Sequence, residues 1–522
     1  MELPWLLLPT AILLTLVLFL LPIAWNRRRL PPGPAGLPWL GNLLYLQYFD
    51  EDSMDILNAE RRLHARYGPV LGLQVGNRLQ VRVADRYLAH TALVGHGTAL
   101  ADRPDYAVRN FGGLNAVTIT SANYGPLWRL FRRNFVAEIA HPARLRLFAP
   151  LRASVLANMT DKLWRQQQEA GNTGVVVRDT FLLAMFHLLV AMCFGERVDD
   201  GVVHEIISAL RELMIYSLTK LRVFDYLPAV TTRLFRGRLD AMHAMRSKLK
   251  EMYLPLIDAR RERKKLLASS QPPSPQNQKE TTTLPHCYVD SLLDLRLDSD
   301  SGRPLTDDEV LAMCSELLIQ GTDTTATALE WIMAQLVKNQ HVQDKLFDEI
   351  SIGTGPDDLH RPEGLHKMQY LRAVVLEGLR RHPPGHQVVM HAAAEDMEIG
   401  GCLIPRGTPV NFMVADMAMD EKTWDQPREF LPERFLAGGD GDGVDITGTK
   451  EIKMMPFGAG RRICPGLGVA TMHLEYLVES LVRAFDWQAA EGEVVDVVSE
   501  EAQFTVVMKK PLCVRLVHRA AI

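Results

Sequence analysis

A chain of 522 residues, 47% of them hydrophobic, is long enough to bury a large core, and no shift of composition divides it into separate halves. Its 58 basic and 62 acidic residues leave a net charge of -4, which excludes a nucleic-acid surface as the organising feature. Six cysteines without a CxxC pair exclude a zinc knuckle and a disulfide scaffold, and point to a reducing compartment with mostly buried thiols.

In chain order, the first distinctive stretch runs from Trp5 to Trp25. Its only polar side chains are Thr10 and Thr15, and it is long enough to cross a bilayer as a helix. Arg27, Arg28 and Arg29 follow, while only Glu2 precedes, so the charge pattern predicts a single-pass anchor with the body on the cytosolic side. A cleaved signal would need a basic start, a shorter apolar run and a small-residue cleavage site, none of which is present. Pro31, Pro32, Pro34 and Pro38 then define a stiff hinge over residues 30–42. Residues 1–29 are thus expected to be the anchor and 43–522 the catalytic body.

Within that body, residues 70–83 alternate apolar and polar around Gly76-Asn77 and predict a hairpin. Helical period dominates elsewhere, including 141–168, 203–219 and 238–267, with shorter strand patterns at 397–411 and 504–517. The expected fold class is mainly α with small β-sheets. Residues 268–280, ASSQPPSPQNQKE, are low in complexity and predict a surface loop. A solvated loop is also expected at 438–451, because Val444 and Asp445 break its superficial calcium-loop pattern.

Chemistry concentrates at residues 456–466, PFGAGRRICPG. Gly458 and Gly460 permit a tight turn and close approach to a flat cofactor. Cys464 stands just ahead of a segment with helical period, where backbone N–H groups and the nearby Arg462 favour a thiolate. A second stretch, SELLIQGTDTTATALEWIMAQLV, opens after the capping-box pattern Thr306-x-x-Glu309 and crowds Gly321, Thr322, Thr324 and Thr325 into a helix interior. Such a breach of helix propensity marks a functional site or a kink. Glu377 and Arg380, one turn apart, and PREFLPERF at 427–435 complete the patterns.

Phe457, Gly460, Arg462, Cys464 and Gly466 fit F-x-x-G-x-R-x-C-x-G, and with the other motifs the chain resembles a cytochrome P450 over nearly its whole length. Its wording at 446–468 and 286–295 is similar to plant microsomal A-type members, families 77 and 89. The resemblance implies haem b, with Cys464 as the axial ligand to iron. It implies that Trp128, Arg132, His391 and Arg462 hold the propionates, and that Phe457 and Gly458 face the cofactor. Asp323 and Thr324 would be the acid–alcohol pair that orders water and supplies protons during oxygen activation. Glu377, Arg380 and Arg434 would form a structural ion network. Gln320 departs from the family's alanine or glycine, and its amide turns either into the pocket or toward the interior.

No GxGxxG follows a strand, so no built-in flavin or nicotinamide domain is evident and electrons must come from a partner. The resemblance implies NADPH–cytochrome P450 reductase, docking near Arg133, Lys453 and Arg461, and a location in the endoplasmic reticulum membrane. Substrate-pocket segments are expected at 103–119, 216–226 and 502–506. The implied activity is monooxygenation of a lipophilic small molecule. An isomerase or dehydratase of an oxidised lipid, and a non-catalytic haem-binding membrane protein, are the alternatives.

Overall fold

The computed structural model describes residues 29–519 apart from 38–39, 43–52, 77, 106–117, 196–197, 226–227, 270–285, 298–301 and 354–366. The expected anchor at residues 5–25 lies outside the described residues, as does most of the stretch 268–280. Among the described residues no helix is long and apolar enough to cross a membrane.

The body is mainly helical. Its longer helices are α1 (Ser53–Tyr67), α2 (Pro126–Phe135), α3 (Ala149–Ala170), α4 (Arg178–Phe194), α5 (Asp200–Lys220), α6 (Arg236–Ser269), α7 (Tyr288–Asp294), α8 (Asp307–Lys338), α9 (Gln340–Gly353), α10 (Gln369–Arg381) and α11 (Leu467–Ala484). The helical period read over 141–168 is interrupted at Phe148, between Pro142–Leu147 and α3.

α8 is the axis of the core. Thr306 Oγ1 accepts from the Glu309 N–H at 3.3 Å while Glu309 Oε2 accepts from the Thr306 N–H at 2.7 Å, so the capping box read from the sequence forms. Asp307, Asp308 and Glu309 begin the helix and Lys338 ends it, which complements its dipole at both ends. At 32 residues it is about 48 Å long. α4, apolar on nearly every side, packs along it and is mostly buried. Gly321 lies at that crossing. A Cβ added there would come within 2.7 Å of Leu189 Cδ1, so the glycine permits close approach of α4, and the helix runs through it unbroken.

Small sheets flank the helices. β1 (Val70–Val75) and β2 (Arg78–Val83) form the expected hairpin, with Val70 opposite Val83 and Val75 opposite Arg78. β3 (Val175–Val176) joins a second sheet, whereas β4 (His391–Ala392) and β5 (Pro409–Phe412) extend the first in the order β1-β2-β5-β4, with β2 and β5 parallel. The second sheet follows the order β6 (Phe485–Ala489), β9 (Cys513–His518), β3, and a separate pair comprises β7 (Glu500–Ala502) and β8 (Val506–Met508). The proline-rich segment lies against β1, where the Gly72 N–H donates to the Pro32 carbonyl at 2.8 Å. A Cβ on Gly33 would meet the Gly72 carbonyl oxygen at 1.8 Å, which makes this contact specific to glycine.

Two buried ion networks tie these layers together. Glu377 and Arg380 are fully buried and bidentate, at 2.7 and 2.8 Å, and Arg434 Nε reaches Glu377 Oε1 at 3.2 Å. The Trp424 ring lies beneath both guanidiniums, at 5.3 and 5.8 Å. Elsewhere Asp290, on α7, pairs with Arg260 of α6 and accepts from the Cys287 N–H at 3.0 Å. Cys193, Cys287 and Cys314 are buried, while Cys402, Cys464 and Cys513 are half-buried, and all six are free.

Candidate active site

The loop before α11 is shaped by its glycines. Gly458 and Gly460 have φ of +70° and +69°, and a Cβ on Gly460 would stand 2.0 Å from the Leu93 carbonyl oxygen. That left-handed backbone closes the loop, with the Cys464 N–H donating to the Phe457 carbonyl at 2.9 Å. Cys464, Phe457 and Gly458 thereby line a cavity that α8 also lines, contributing Glu316, Gln320 and Thr324.

Burial pushes the Cys464 thiol up, and the Gly466 N–H and Arg132 pull it down. The helix end acts in the direction read from the sequence, but the arginine that acts on the sulfur is Arg132 and not the expected Arg462, and desolvation outweighs both in the free thiol. A thiolate here therefore needs a cation at the sulfur, as a bound metal supplies.

One side of the cavity is strongly basic. Arg132 Nη1 donates to the Ile463 carbonyl at 2.6 Å, and Trp128 Nε1 donates to that of Ile119 at 3.1 Å. Arg462 lies 4.7 Å over the Trp128 ring and donates to the carbonyls of Ala101 and Ile119 at 2.6 and 3.2 Å. Arg103, which sequence reading placed only at the start of a pocket segment, completes the set. It donates to the carbonyls of Thr120, Val389 and Met390 at 2.8, 2.8 and 2.9 Å.

Desolvation dominates the titration of this wall, lowering Arg103 to about 9, with Arg462 adding to the shift, and Arg462 itself to about 10. Burial likewise lowers Arg132. None of the three forms an ion pair among the described residues. His391 Nδ1 contacts the Leu100 carbonyl at 2.7 Å, and burial, followed by Arg103, drives it down to about 3. Its Nδ1 thus carries the proton, and its Nε2 has no partner among the described residues. Partly buried guanidiniums that bond only to carbonyls fit a ligand with acidic groups. Together with the thiol and the glycine turn, they suit a flat, metal-bearing cofactor with carboxylates.

The structure separates the two α8 residues expected to act as a pair. Thr324 lines the cavity, its hydroxyl donating to the Gln320 carbonyl at 2.6 Å. Asp323 faces away, toward α5, where Arg211 Nη2 lies 3.6 Å from its Oδ1. Burial raises the Asp323 carboxyl above its ordinary value, and Arg211 opposes the shift. Of the expected pocket segments, 103–119 contributes Arg103 and Ile119. Described residues of 216–226 and 502–506 do not line this cavity, and Tyr216 and Thr219 instead border a separate groove with Arg211. Of the expected docking residues, Arg133 is exposed, Arg461 donates to the Tyr124 hydroxyl at 3.0 Å, and Lys453 donates to the Asp440 carbonyl at 2.9 Å.

A helical body with small sheets, a turn-held cysteine and a basic cavity wall defines a protein built around a flat metal cofactor. The family pattern of cytochrome P450 matches residues 31–514, and the chain belongs to that family. It is 40% identical to cytochrome P450 89A9 of Arabidopsis thaliana, over 93% of each chain. It is 29% identical to a flavonoid 3'-monooxygenase of the same plant, over 98% of this chain and 97% of that one. It is 31% identical to a geissoschizine oxidase of Strychnos, over 89% and 87%. The family binds haem through a cysteine thiolate, and the protein is a P450 monooxygenase related to plant members.

Proposed function

We propose that the protein is a membrane-anchored haem-thiolate monooxygenase of the endoplasmic reticulum, with its catalytic body in the cytosol, acting on a lipophilic small molecule. In this reading Cys464 would hold the haem through its thiolate, and Arg103, Arg132, His391 and Arg462 would hold its propionates, with the Trp128 ring, whose one N–H is spent on the Ile119 carbonyl, lying under Arg462. Residues 1–29 form a single-pass anchor, and electrons arrive from NADPH–cytochrome P450 reductase over the face carrying Arg133 and Arg461. Dioxygen, two electrons and two protons convert the substrate C–H to C–OH and release one water. The observation that carries the reading is that Cys464 and Thr324 line one cavity together with three guanidiniums that form no ion pair among the described residues.

Bound haem supplies the redox centre at which dioxygen is reduced. The chain's own residues manage charge and protons around it. The three guanidiniums neutralise acidic groups at the cavity edge, and neutral His391 offers Nε2, which takes up a proton when a carboxylate lies against it. Thr324 positions a hydroxyl inside the cavity. Asp323, with a raised carboxyl, links Arg211 at the surface to the helix turn that carries Thr324. Apolar groups such as Leu189 and Val388 exclude water from the rest of the cavity.

Turnover under heavy-isotope dioxygen tests this. The protein in membranes with a plant reductase and NADPH, supplied with a lipophilic plant extract, is expected to give a product carrying one labelled oxygen. Haem that is reduced and shows a normal carbon-monoxide spectrum, but yields only unlabelled rearranged products, would replace the reading with the isomerase alternative.

A further inference from the structure

Glu316, Gln320 and Thr324 follow one another at four-residue spacing on α8, so they share a helix face, and all three line the cavity. Two of their side chains are already occupied. The Glu316 carboxylate accepts from the backbone N–H groups of Ile119 and Thr120 at 3.0 and 2.7 Å, fixing the loop that carries them. The Thr324 hydroxyl is spent on the Gln320 carbonyl. The Gln320 side-chain amide makes no hydrogen bond with any described residue, although Leu189 and Leu317 line the same cavity. Gln387, the other amide on the wall, is by contrast engaged, bonding Glu60 at 2.5 Å and Asn411 at 2.8 Å.

Gln320 is half-buried, so its amide is open to the cavity, where a ligand group can pair with it. Its chemistry limits the partner. A glutamine side chain presents an acceptor and donors side by side, which a neutral amide matches with two parallel hydrogen bonds. The Glu316 carboxylate, one turn away, disfavours an anion at that place.

We propose that Gln320 is a specificity-determining residue that pairs with a neutral amide-type group on the substrate, so that the preferred substrate is an apolar molecule carrying such a group. Four residues of helix place this anchor about 6 Å along the axis from Thr324, which fixes the part of the substrate that faces the reaction centre. The inference rests on the monooxygenase reading in taking this cavity as the substrate pocket.

The full-length, haem-loaded protein in lipid nanodiscs is titrated by calorimetry with naphthamide, its shape-matched hydrocarbon isopropylnaphthalene, and naphthoate. Gln320→Met keeps the length of the side chain and removes the amide. It is expected to weaken naphthamide binding about tenfold and to leave isopropylnaphthalene unchanged or tighter. Gln320→Ala repeats the comparison, and the carbon-monoxide spectrum of each variant reports that it is folded and loaded. Equal naphthamide affinity in wild type and both variants overturns the inference, as does equal weakening of both neutral probes or a loss confined to naphthoate. Turnover of the same probes under labelled dioxygen separates the two claims. An amide preference in binding without labelled product upholds the pairing at Gln320 and shows that these probes are not turned over, while labelled product without the preference keeps the monooxygenase reading and overturns the inference.

Discussion

At the scale of single residues, the site is governed by desolvation. Cys464 is raised by burial even though Arg132 and the Gly466 N–H favour its anion, so its sulfur needs a cation to ionise. Cys464→Ser is expected to abolish the thiolate-type carbon-monoxide spectrum of the purified protein, while circular dichroism retains the helical signal. His473, on α11 and also lining the cavity, has a buried Nε2 without a partner, and burial, with a smaller push from Arg152, lowers it from 6.5 to about 3. It is therefore neutral in the fold. Below 6.5 the unfolded chain takes up a proton that the folded chain refuses, so stability falls as pH falls toward 3. Between pH 7 and 5 this one group costs about 2 kcal/mol. His473→Leu is expected to remove that share, seen as a smaller drop in the thermal unfolding midpoint over this pH interval than in wild type.

At the scale of elements, the network joining α10 to the loop around Arg434 has a different energetic character from surface pairs. Glu377 is fully buried and served by two guanidiniums, Arg380 and Arg434. Removing one of them leaves a buried carboxylate with half its partners, which costs about 3–5 kcal/mol. Arg380→Leu is thus expected to lower the thermal midpoint sharply and cut the yield of haem-loaded protein. Arg61→Leu, which breaks a pair whose side chains are 36% and 24% exposed, should cost less than about 1 kcal/mol. Similar midpoints for the two variants would contradict the assignment of the core network.

At the scale of the whole molecule, the proposed function gives residues 1–29 and the described body separate parts. The body carries its own buried core and sheets, and within it no described helix is long and apolar enough to span a bilayer. Deleting residues 1–29 is expected to move the protein from the membrane pellet toward the soluble fraction of a cell lysate while preserving the carbon-monoxide spectrum. Retention in the pellet after an alkaline carbonate wash would place the membrane attachment in the body instead.

Local chemistry made much of this protein legible from its sequence. The glycine spacing around Cys464 dictates a left-handed turn, Thr306 and Glu309 dictate a helix start, and Glu377 and Arg380 meet because they are one turn apart. Each depends on residues that are neighbours along the chain, where backbone geometry alone sets the distance. Arg103 gave no such signal, since a loop arginine has no periodicity; its place beside His391 and Arg462 depends on loops meeting from distant parts of the chain. Asp323 and Thr324 read as one pair, yet successive helical residues point about 100° apart, and only the packing of α5 against α8 assigned Asp323 to Arg211 and Thr324 to the cavity. The sequence by itself determined the mainly helical class and the thiol-bearing turn, because those follow from local spacing, and its resemblance to a family implied the cofactor. The tertiary structure alone decided which side chains share the cavity and which amide is left to meet a ligand, because those depend on how distant segments pack.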